Sequence, residues 1–342
     1  MVDRSELSAR RRVMLGLVIR EYVASVQPVG SQHLVTKYRL EYSSATVRNE
    51  LAALEKLGYL SQPHTSAGRV PTERGYRYFV EYLLAERPLS ISDQRMIRHQ
   101  FHQASLEMEQ WARLAAAVLA NTTHSAALAT VPKALRCRLR HMELISIREN
   151  VVLLVLVLLG GTVKQQILHL EESLSQDELG RFSNQLNDVL THADAEEVSS
   201  RLALLPPLPM QIGRVVAEIM AQADCHASDR VFSEGLLHLM GQPEFAGSDE
   251  AHRVVQVLEQ PSLLDTIMEE MRDRDGVQVL IGGEGRWNEL SQATLVLSAY
   301  GMDEVSGMLG VLGPLRMPYS RTISTVRYVA ELMSGLVQEW YG

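Results

Sequence analysis

The chain has 342 residues, of which 46% are hydrophobic and 22% charged, a composition typical of a packed globular protein rather than a disordered one. Its longest apolar run, Val151 to Leu159, is far shorter than the ~20 residues that a membrane-spanning helix needs. Because no signal segment is visible either, we expect a cytoplasmic protein. Cys137 and Cys225 lie outside any metal-binding or disulfide spacing, so we expect neither a metal site nor a disulfide.

The charge is unevenly divided along the chain. The formal net charge is −8, yet residues 1–87 hold 13 Lys and Arg against 9 Asp and Glu, a net charge of +4. The remaining 20 basic and 32 acidic residues give −12. A basic N-terminal module joined to an acidic body is typical of a protein that binds a polyanion through that module.

Three helices are predicted in the basic region. Apolar residues recur with helical period from residue 7 to residue 25, with Ser8 as N-cap, and Pro28 and Gly30 then end the helix. A short helix begins at Ser31. A third begins at Ser43 or Ser44 and ends at Leu57, with Gly58 just beyond its C-terminus.

The third helix is the candidate recognition element. Val47, Leu51, Leu54 and Leu57 form its buried stripe, which leaves the first two turns facing outward. The outward side chains are Ser44, Ala45, Thr46, Arg48, Asn49 and Ala52. Arg and Asn match guanine and adenine edges in the major groove, and small neighbours permit close approach, so the pattern indicates a helix-turn-helix.

The segment PHTSAGRVPTERG, residues 63–75, follows that helix. Residues 58–63 and 69–71 are predicted to pair as short strands, which places HTSAG at the tip of a hairpin. His64, Thr65, Ser66 and Arg69 would offer donors to phosphate or to the minor groove. Such a hairpin is the wing of a winged helix. The plainer alternatives are a surface hairpin and solvent-facing Arg48 and Asn49.

The rest of the chain is predicted to alternate between helices and strands. Helices are expected at 72–86, 92–120, 176–240 (interrupted at 204–209), 250–259, 261–272 and 320–340. Strands are expected in ALATVP, LRHMELISI, VVLLVLVLL, VKQQILHL, VQVLIGG, ATLVLSAYG and SGMLGVLGP, with a tight turn at Gly160-Gly161. The fold class is therefore α+β.

Catalytic motifs are absent from the sequence. No P-loop, GxSxG, HExxH or calcium-loop pattern occurs, and GGEG at 282–285 indicates a hairpin rather than a phosphate loop. We expect no enzyme, no cofactor and no catalytic residues.

The run SSATVRNELAALEKLGYLSQPHTSAGRVPTERGYRYFV, with EYVASVQPVGSQHL before it, resembles the N-terminal domain of the HrcA family of bacterial heat-inducible transcription repressors. The resemblance returns in GLLHLMGQPEF and in SAYGMDEVSGMLGVLGPLRMPYSRTISTVRYVA, and so spans nearly the whole chain.

That resemblance implies three domains. They are a winged-helix domain with its connecting helix at 1–87, a discontinuous GAF-like domain at 88–134 and 226–342, and an inserted strand-plus-helix dimerisation domain at 135–225. It also implies a homodimer that binds an inverted-repeat operator in double-stranded DNA and represses chaperone operons. A GroEL-type chaperonin would help to keep the repressor folded, and repression would lift on heat stress when the chaperonin is occupied.

The residues expected to contact DNA fall into two groups. Ser44, Thr46, Arg48 and Asn49 of the third helix would face the bases, whereas His64, Thr65, Ser66, Arg69, Arg11 and Lys37 would face the sugar-phosphate backbone. Two alternatives stay open: a regulator whose GAF-like body senses a small molecule, and a winged helix that binds an acidic protein.

Overall fold

The computed structural model describes residues 7–64, 67–85, 87–103, 107–134, 137–159, 162–226, 231–246, 249–259, 266–267, 270, 276–282, 286–302 and 305–341. Its contacts divide the chain into two compact units. The first contains residues 1–131, 231–300 and 308–334, and the second contains 132–230, 301–307 and 335–342.

The first unit begins with three helices and a small antiparallel ribbon. The helices are α1 (Ala9–Ser25), α2 (Ser31–Tyr38) and α3 (Ser44–Lys56), and the strands are β1 (Leu60–Ser61) and β2 (Val70–Pro71). The hydroxyl of Ser8 caps α1 as predicted, and Gly58 follows α3 in the left-handed conformation that the predicted C-terminal stop requires. Val47, Leu51 and Leu54 are buried, which confirms most of the predicted stripe.

The predicted face of α1 is partly wrong. Val13, one of the apolar residues whose helical period predicts the buried face, is 54% exposed, whereas Met14, Leu15 and Ile19 are fully buried. Glu21 is also buried, because side chains from α2 supply partners for its carboxylate.

The next helices of the first unit are shorter than predicted. Thr72 caps α4 (Glu73–Tyr78), which passes into a π-helical turn (Phe79–Leu83) and ends at Leu84. The helix expected at 92–120 is two helices, α5 (Ile91–His102) and α6 (Met108–Thr123), because Gln103 caps the first and Glu107 has an extended backbone. Apolar periodicity alone does not register such a break.

A sheet forms the other part of the first unit. Its strands are β3 (Ala126–Thr130), β8 (Val231–Glu234), β9 (Val277–Ile281), β10 (Ala293–Gly301) and β11 (Val305–Pro314). They lie in the order β8-β3-β11-β10-β9. Strand β4 (Lys133–Ala134) pairs with Val305 and Ser306 at the start of β11, and these residues are counted with the second unit. One side packs against α10 (Leu236–Met240) and α11 (Asp249–Glu259) around Phe245, Val257 and Trp287. The last helix is α12 (Tyr319–Tyr341).

Strand β8 corrects the helix predicted to run to residue 240. Its four residues VFSE pair with β3, and Gly235, with a φ of +77°, then turns the chain into α10. So short a strand carries too little alternation to be recognised in the sequence.

The second unit consists of a three-stranded antiparallel sheet and helices. Its strands β5 (Leu139–Arg148), β6 (Val151–Leu158) and β7 (Val163–His169) lie in that order. The helices are α7 (Gln176–Leu190), α8 (Ala195–Arg201) and α9 (Pro207–His226), with a single 3-10 turn at Leu202–Leu204. Leu144, Leu154 and Leu156 face these helices in a continuous core with Leu186 and Val216.

Several predicted features fall outside the described residues, namely the Gly160-Gly161 turn, most of the helix at 261–272 and the tip of the GGEG hairpin. Cys137 is half-buried, and the side chain of Cys225 lies outside the description. The three predicted domain boundaries stay a prediction.

Candidate nucleic-acid interface

The first two turns of α3 form the exposed surface that the sequence predicts. Ser43 caps the helix by accepting a hydrogen bond from the Thr46 backbone N–H at 3.1 Å. Val47 anchors the opposite side in the core with no exposed surface. The cap and the anchor therefore fix which side chains face outward.

Arg48 and Asn49 are both exposed on this surface. Among the residues that the structure describes, neither side chain has a hydrogen-bond or ion-pair partner. Ala45 beside them is also exposed and adds no bulk. A guanidinium and an amide with unused donors, next to a methyl group, can approach an external planar edge closely.

Ser44 and Thr46 are less free. The Ser44 hydroxyl lies 3.0 Å from the hydroxyl of Ser31, the first residue of α2, and the Thr46 hydroxyl lies 2.9 Å from that of Ser43. Both side chains are half-buried. The contact between Ser44 and Ser31 connects the starts of α3 and α2, whereas that between Thr46 and Ser43 lies within the start of α3.

The hairpin beside α3 is held at its base rather than at its tip. Val29 and Arg69 exchange backbone hydrogen bonds of 2.9 Å in both directions. A Cβ atom on Gly68 would lie 2.5 Å from the backbone of Val29, so only glycine permits this approach. His64 is exposed beyond that base, whereas Thr65 and Ser66 fall outside the described residues.

Arg69 faces α3 rather than the solvent. Its guanidinium lies 2.8 Å from the carboxylate of Glu55, and its side chain is only 15% exposed. This contact links the hairpin to α3. The prediction that Arg69 contacts phosphate was made without knowledge of this ion pair with Glu55.

Arg11 and Lys37 are also paired within the chain. Arg11 donates to Glu50 at 3.0 Å, and Lys37 donates to Glu21 at 2.8 Å. Arg10 lies near Glu50 as well and stacks over the ring of Tyr42. The structure thus gives each of these three cations an acidic partner, and Arg10 an aromatic partner as well.

Glu21 is the central residue of the contact between α1 and α2. Its carboxylate accepts hydrogen bonds from Lys37 at 2.8 Å and from the Tyr38 hydroxyl at 2.6 Å, and it lies 2.8 Å from His33. Burial alone would raise the pKa of Glu21, but these hydrogen bonds outweigh burial and lower the pKa to about 2. Burial, together with the hydrogen bond that Tyr38 donates to Glu21, raises the pKa of Tyr38 to about 12.

Sequence reasoning missed Glu21, although a signal for it existed. Glu21 stands four residues after Leu17 and three after Val18, on the apolar face of α1. His33 and Lys37 stand one helical turn apart on α2. An acid in an apolar stripe, followed by a histidine and a lysine spaced i and i+4, predicts a buried polar contact between helices.

The described residues contain no metal site and no membrane span. Among them, no group of His, Cys, Asp and Glu has the arrangement of a metal site, and no helix has the length and hydropathy to cross a membrane. A cleft of about 580 Å³ lies between α1, residues 84–85 with 87–90, and the start of α12.

Known proteins resemble this chain along its whole length. Residues 109–323 match the family described as "HrcA protein C terminal domain". Proteins called "Heat-inducible transcription repressor HrcA" from Roseiflexus sp. (strain RS-1) and Herpetosiphon aurantiacus are 47% and 44% identical, over 99% and 98% of this chain and 96% and 97% of theirs.

A crystal structure of a protein described only as hypothetical shares the fold. Its TM-score is 0.58 at 22% identity, over 98% of this chain and 99% of that one. The family match and the full-length relatives agree, and the chain belongs to the HrcA family.

Proposed function

We propose that this protein is a transcription repressor of chaperone operons that binds an inverted-repeat operator as a dimer. The observation that carries the proposal is the exposed surface at the start of α3, where Arg48 and Asn49 have no side-chain partner in the described part of the chain. The names of its full-length relatives, heat-inducible transcription repressors, support the regulatory role.

In this proposal residues 1–87 are a winged helix and its connecting helix. Helix α3 enters the major groove, Arg48 and Asn49 contact base edges, and Ser44 and Thr46 lie at the groove floor beside them. The hairpin is the wing, and His64, Thr65 and Ser66 contact the DNA backbone. Arg11, Lys37 and Arg69 add positive potential, although their acidic neighbours reduce it.

Nuclease footprinting tests DNA binding directly. Purified protein is incubated with DNA from upstream of the host's chaperonin genes, and we expect a symmetric protected segment. Two winged helices related by a two-fold axis would protect half-sites about one helical turn apart, or a multiple of it. A protein that uses its winged helix to bind an acidic protein partner would leave the DNA unprotected, which would refute the proposal.

The second unit supplies a surface suited to dimerisation. Its sheet turns Leu144, Leu154 and Leu156 toward the helices, but the alternate residues of β6 face away from them. Leu153 pairs with Ile145 on one side and with Ile167 on the other, and these two isoleucines are 41% and 53% exposed. An apolar row across three strands is typical of a surface covered by another protein chain.

We assign a second copy of this chain as the partner on that surface. An inverted-repeat operator requires two DNA-binding heads, the residues 1–87 of each copy, related by symmetry. A two-fold contact between identical sheets would bring two such heads together. The double variant Ile145→Asp/Ile167→Asp should be monomeric by analytical ultracentrifugation. Ile91→Asp, at an isoleucine that is 69% exposed in the first unit, is the matched control and should stay dimeric.

The remaining domains follow the family resemblance. The sheet β8-β3-β11-β10-β9 with its helices would be the GAF-like domain, at 88–134 and 226–342, and residues 135–225 would be the inserted dimerisation domain. The body would hold the two heads at a fixed spacing. Limited proteolysis that released an intact fragment 135–225 would support this division.

Loss of repression on heating would follow from marginal stability. A dimer that loses a few kcal/mol of folding free energy populates unfolded chains, and a GroEL-type chaperonin occupied by other clients no longer refolds them. We expect a low melting temperature that rises with saturating operator. Adding chaperonin and ATP to heat-inactivated protein should restore operator binding, and a failure to restore it would contradict the chaperonin's role.

A further inference from the structure

The cleft of about 580 Å³ in the first unit is a candidate binding site that DNA binding does not use. Most of its lining comes from three parts of the chain: α1 through Ile19 and Arg20, residues 84–85 with 87–90, and the start of α12 through Tyr319 and Arg321. Its volume falls within the ~300–1,000 Å³ common for small-molecule sites.

The floor of this cleft is apolar. Ile19, Phe79 and Met317 are at most 6% exposed and belong to separate parts of the chain. Leu89 and the ring of Tyr319 are also buried there. An apolar ligand body would therefore replace water on a surface that the protein has already shaped.

The rim of the cleft is cationic. Arg20, Arg87 and Arg321 all line it and all are exposed. Within the described part of the chain none of the three guanidiniums has a hydrogen-bond or ion-pair partner, in contrast to Arg11 and Arg69. Among the described residues of the lining Asp93 is the one acid, so the described rim has three arginines against one carboxylate.

The walls are fixed in position by hydrogen bonds. Ser320 donates to the carbonyl of Ala85 at 3.3 Å, and Ser324 donates to the carbonyl of Arg87 at 2.5 Å. The backbone at Ala85 and Arg87 is thus attached to α12. The position of the Arg87 backbone therefore does not depend on a bound ligand. Pre-formed sites of this kind bind with a smaller entropic cost.

We propose that this cleft binds a small amphipathic anion, with a carboxylate or phosphate group at the arginine rim and an apolar body on the floor. Guanidinium groups bind both of these oxyanions through paired hydrogen bonds, so the rim selects charge and the floor selects an apolar chain or ring. A ligand there contacts α1 and α12 together, and it stabilises their observed arrangement.

Titration calorimetry of the full-length protein tests the proposal without DNA, so its outcome is independent of the DNA-binding proposal. Octyl phosphate and octanoate are the amphipathic probes, and octan-1-ol and inorganic phosphate carry only one feature each. We expect saturable binding of at least one amphipathic anion, weaker binding of both single-feature compounds, and a rise in melting temperature with the bound probe. The head group that binds more tightly identifies the natural ligand as a carboxylate or a phosphate.

Two variants locate the binding site. Arg20→Gln/Arg87→Gln/Arg321→Gln should weaken binding of the anionic probe by about tenfold or more. Ala85→Trp, which fills the cleft from an exposed position, should abolish binding. The matched control Arg140→Gln/Arg181→Gln/Arg253→Gln removes the same charge from exposed positions elsewhere and should bind as the parent does. Circular dichroism checks that each variant is folded.

Four outcomes would overturn the proposal. Three of them are no saturable binding of either amphipathic anion, binding of octan-1-ol as tight as that of octyl phosphate, and unchanged affinity in Ala85→Trp. An equal loss in the cleft triple variant and the control triple variant would also overturn it, because the probe would then respond only to net charge.

Discussion

The exposed first turns of α3 and the contact between α1 and α2 both carry basic residues, but only those in the second place are paired within the chain. At the start of α3, Arg48 has no partner among the described residues and faces solvent. Between α1 and α2, Lys37 and His33 meet the buried carboxylate of Glu21. The net charge of +4 on residues 1–87 is therefore not one uniform DNA-binding surface, because part of it holds the helices of the head together.

Replacing the shared acid should have the largest effect on this contrast. Glu21→Ala removes the acceptor of three side chains, and we expect a loss of about 3 kcal/mol in the free energy of unfolding. Urea unfolding measures it. Glu41→Ala, at an exposed glutamate without a side-chain partner in the described structure, is the control and should leave the midpoint unchanged. Equal midpoints for the two variants would show that the Glu21 contacts contribute little.

Acid titration tests the same contact without a substitution. The pKa of Glu21 falls from 4.5 to about 2 on folding, so its contribution is complete above pH 4.5 and is lost as the pH falls toward 2. We expect at most about 3 kcal/mol to disappear over that interval. Urea unfolding at several pH values measures the loss, and Glu21→Gln should show a flatter dependence. An identical slope in that variant would assign the acid sensitivity to other carboxylates.

Arg48→Ala should affect DNA affinity rather than stability. Loss of a base contact should cost about 1 to 3 kcal/mol of specific binding, with non-specific binding and the unfolding midpoint nearly unchanged. Salt-matched gel shifts on operator and random duplex measure both affinities. Lys56→Ala, at an exposed position in the last turn of the same helix, is the control. Equal losses on the two duplexes would refute the base-reading role of Arg48.

Lys37 and Arg11 should give the smallest change. Because both are already paired with carboxylates, we expect Lys37→Gln and Arg11→Gln each to alter the slope of log affinity against log salt by less than the ~0.9 of a full phosphate contact. Gel shifts over a salt series measure the slope. A change of the full amount would show that these cations leave their partners to contact DNA.

The sequence predicted local features of the head well. Helix caps at Ser8 and Gly58, the buried stripe of α3 and the pairing of the hairpin strands all depend on residues close together in the chain, which is why periodicity and turn chemistry reveal them. The exposure of Arg48 and Asn49 followed from the same stripe. Their role in binding DNA stays a prediction.

Features that depend on distant partners were not predicted. The pairing of Arg69 with Glu55, the burial of Glu21 and the strand at Val231–Glu234 each need a neighbour from another element. The cleft near Arg20 likewise arises from three segments that are far apart in sequence. Tertiary contacts decide such features, and a single sequence records them weakly.

The tight approach of Gly68 to the Val29 backbone has a mechanical consequence. The segment that carries Gly68 is held to the turn before α2 by the backbone hydrogen bonds of Arg69, and the Arg69 side chain pairs with Glu55 of α3, so the hairpin base cannot pivot independently of the helices. In the proposed complex, a duplex that meets α3 would therefore encounter the hairpin at a preset distance. A larger residue at position 68 would change that distance without changing any side chain that is proposed to contact DNA.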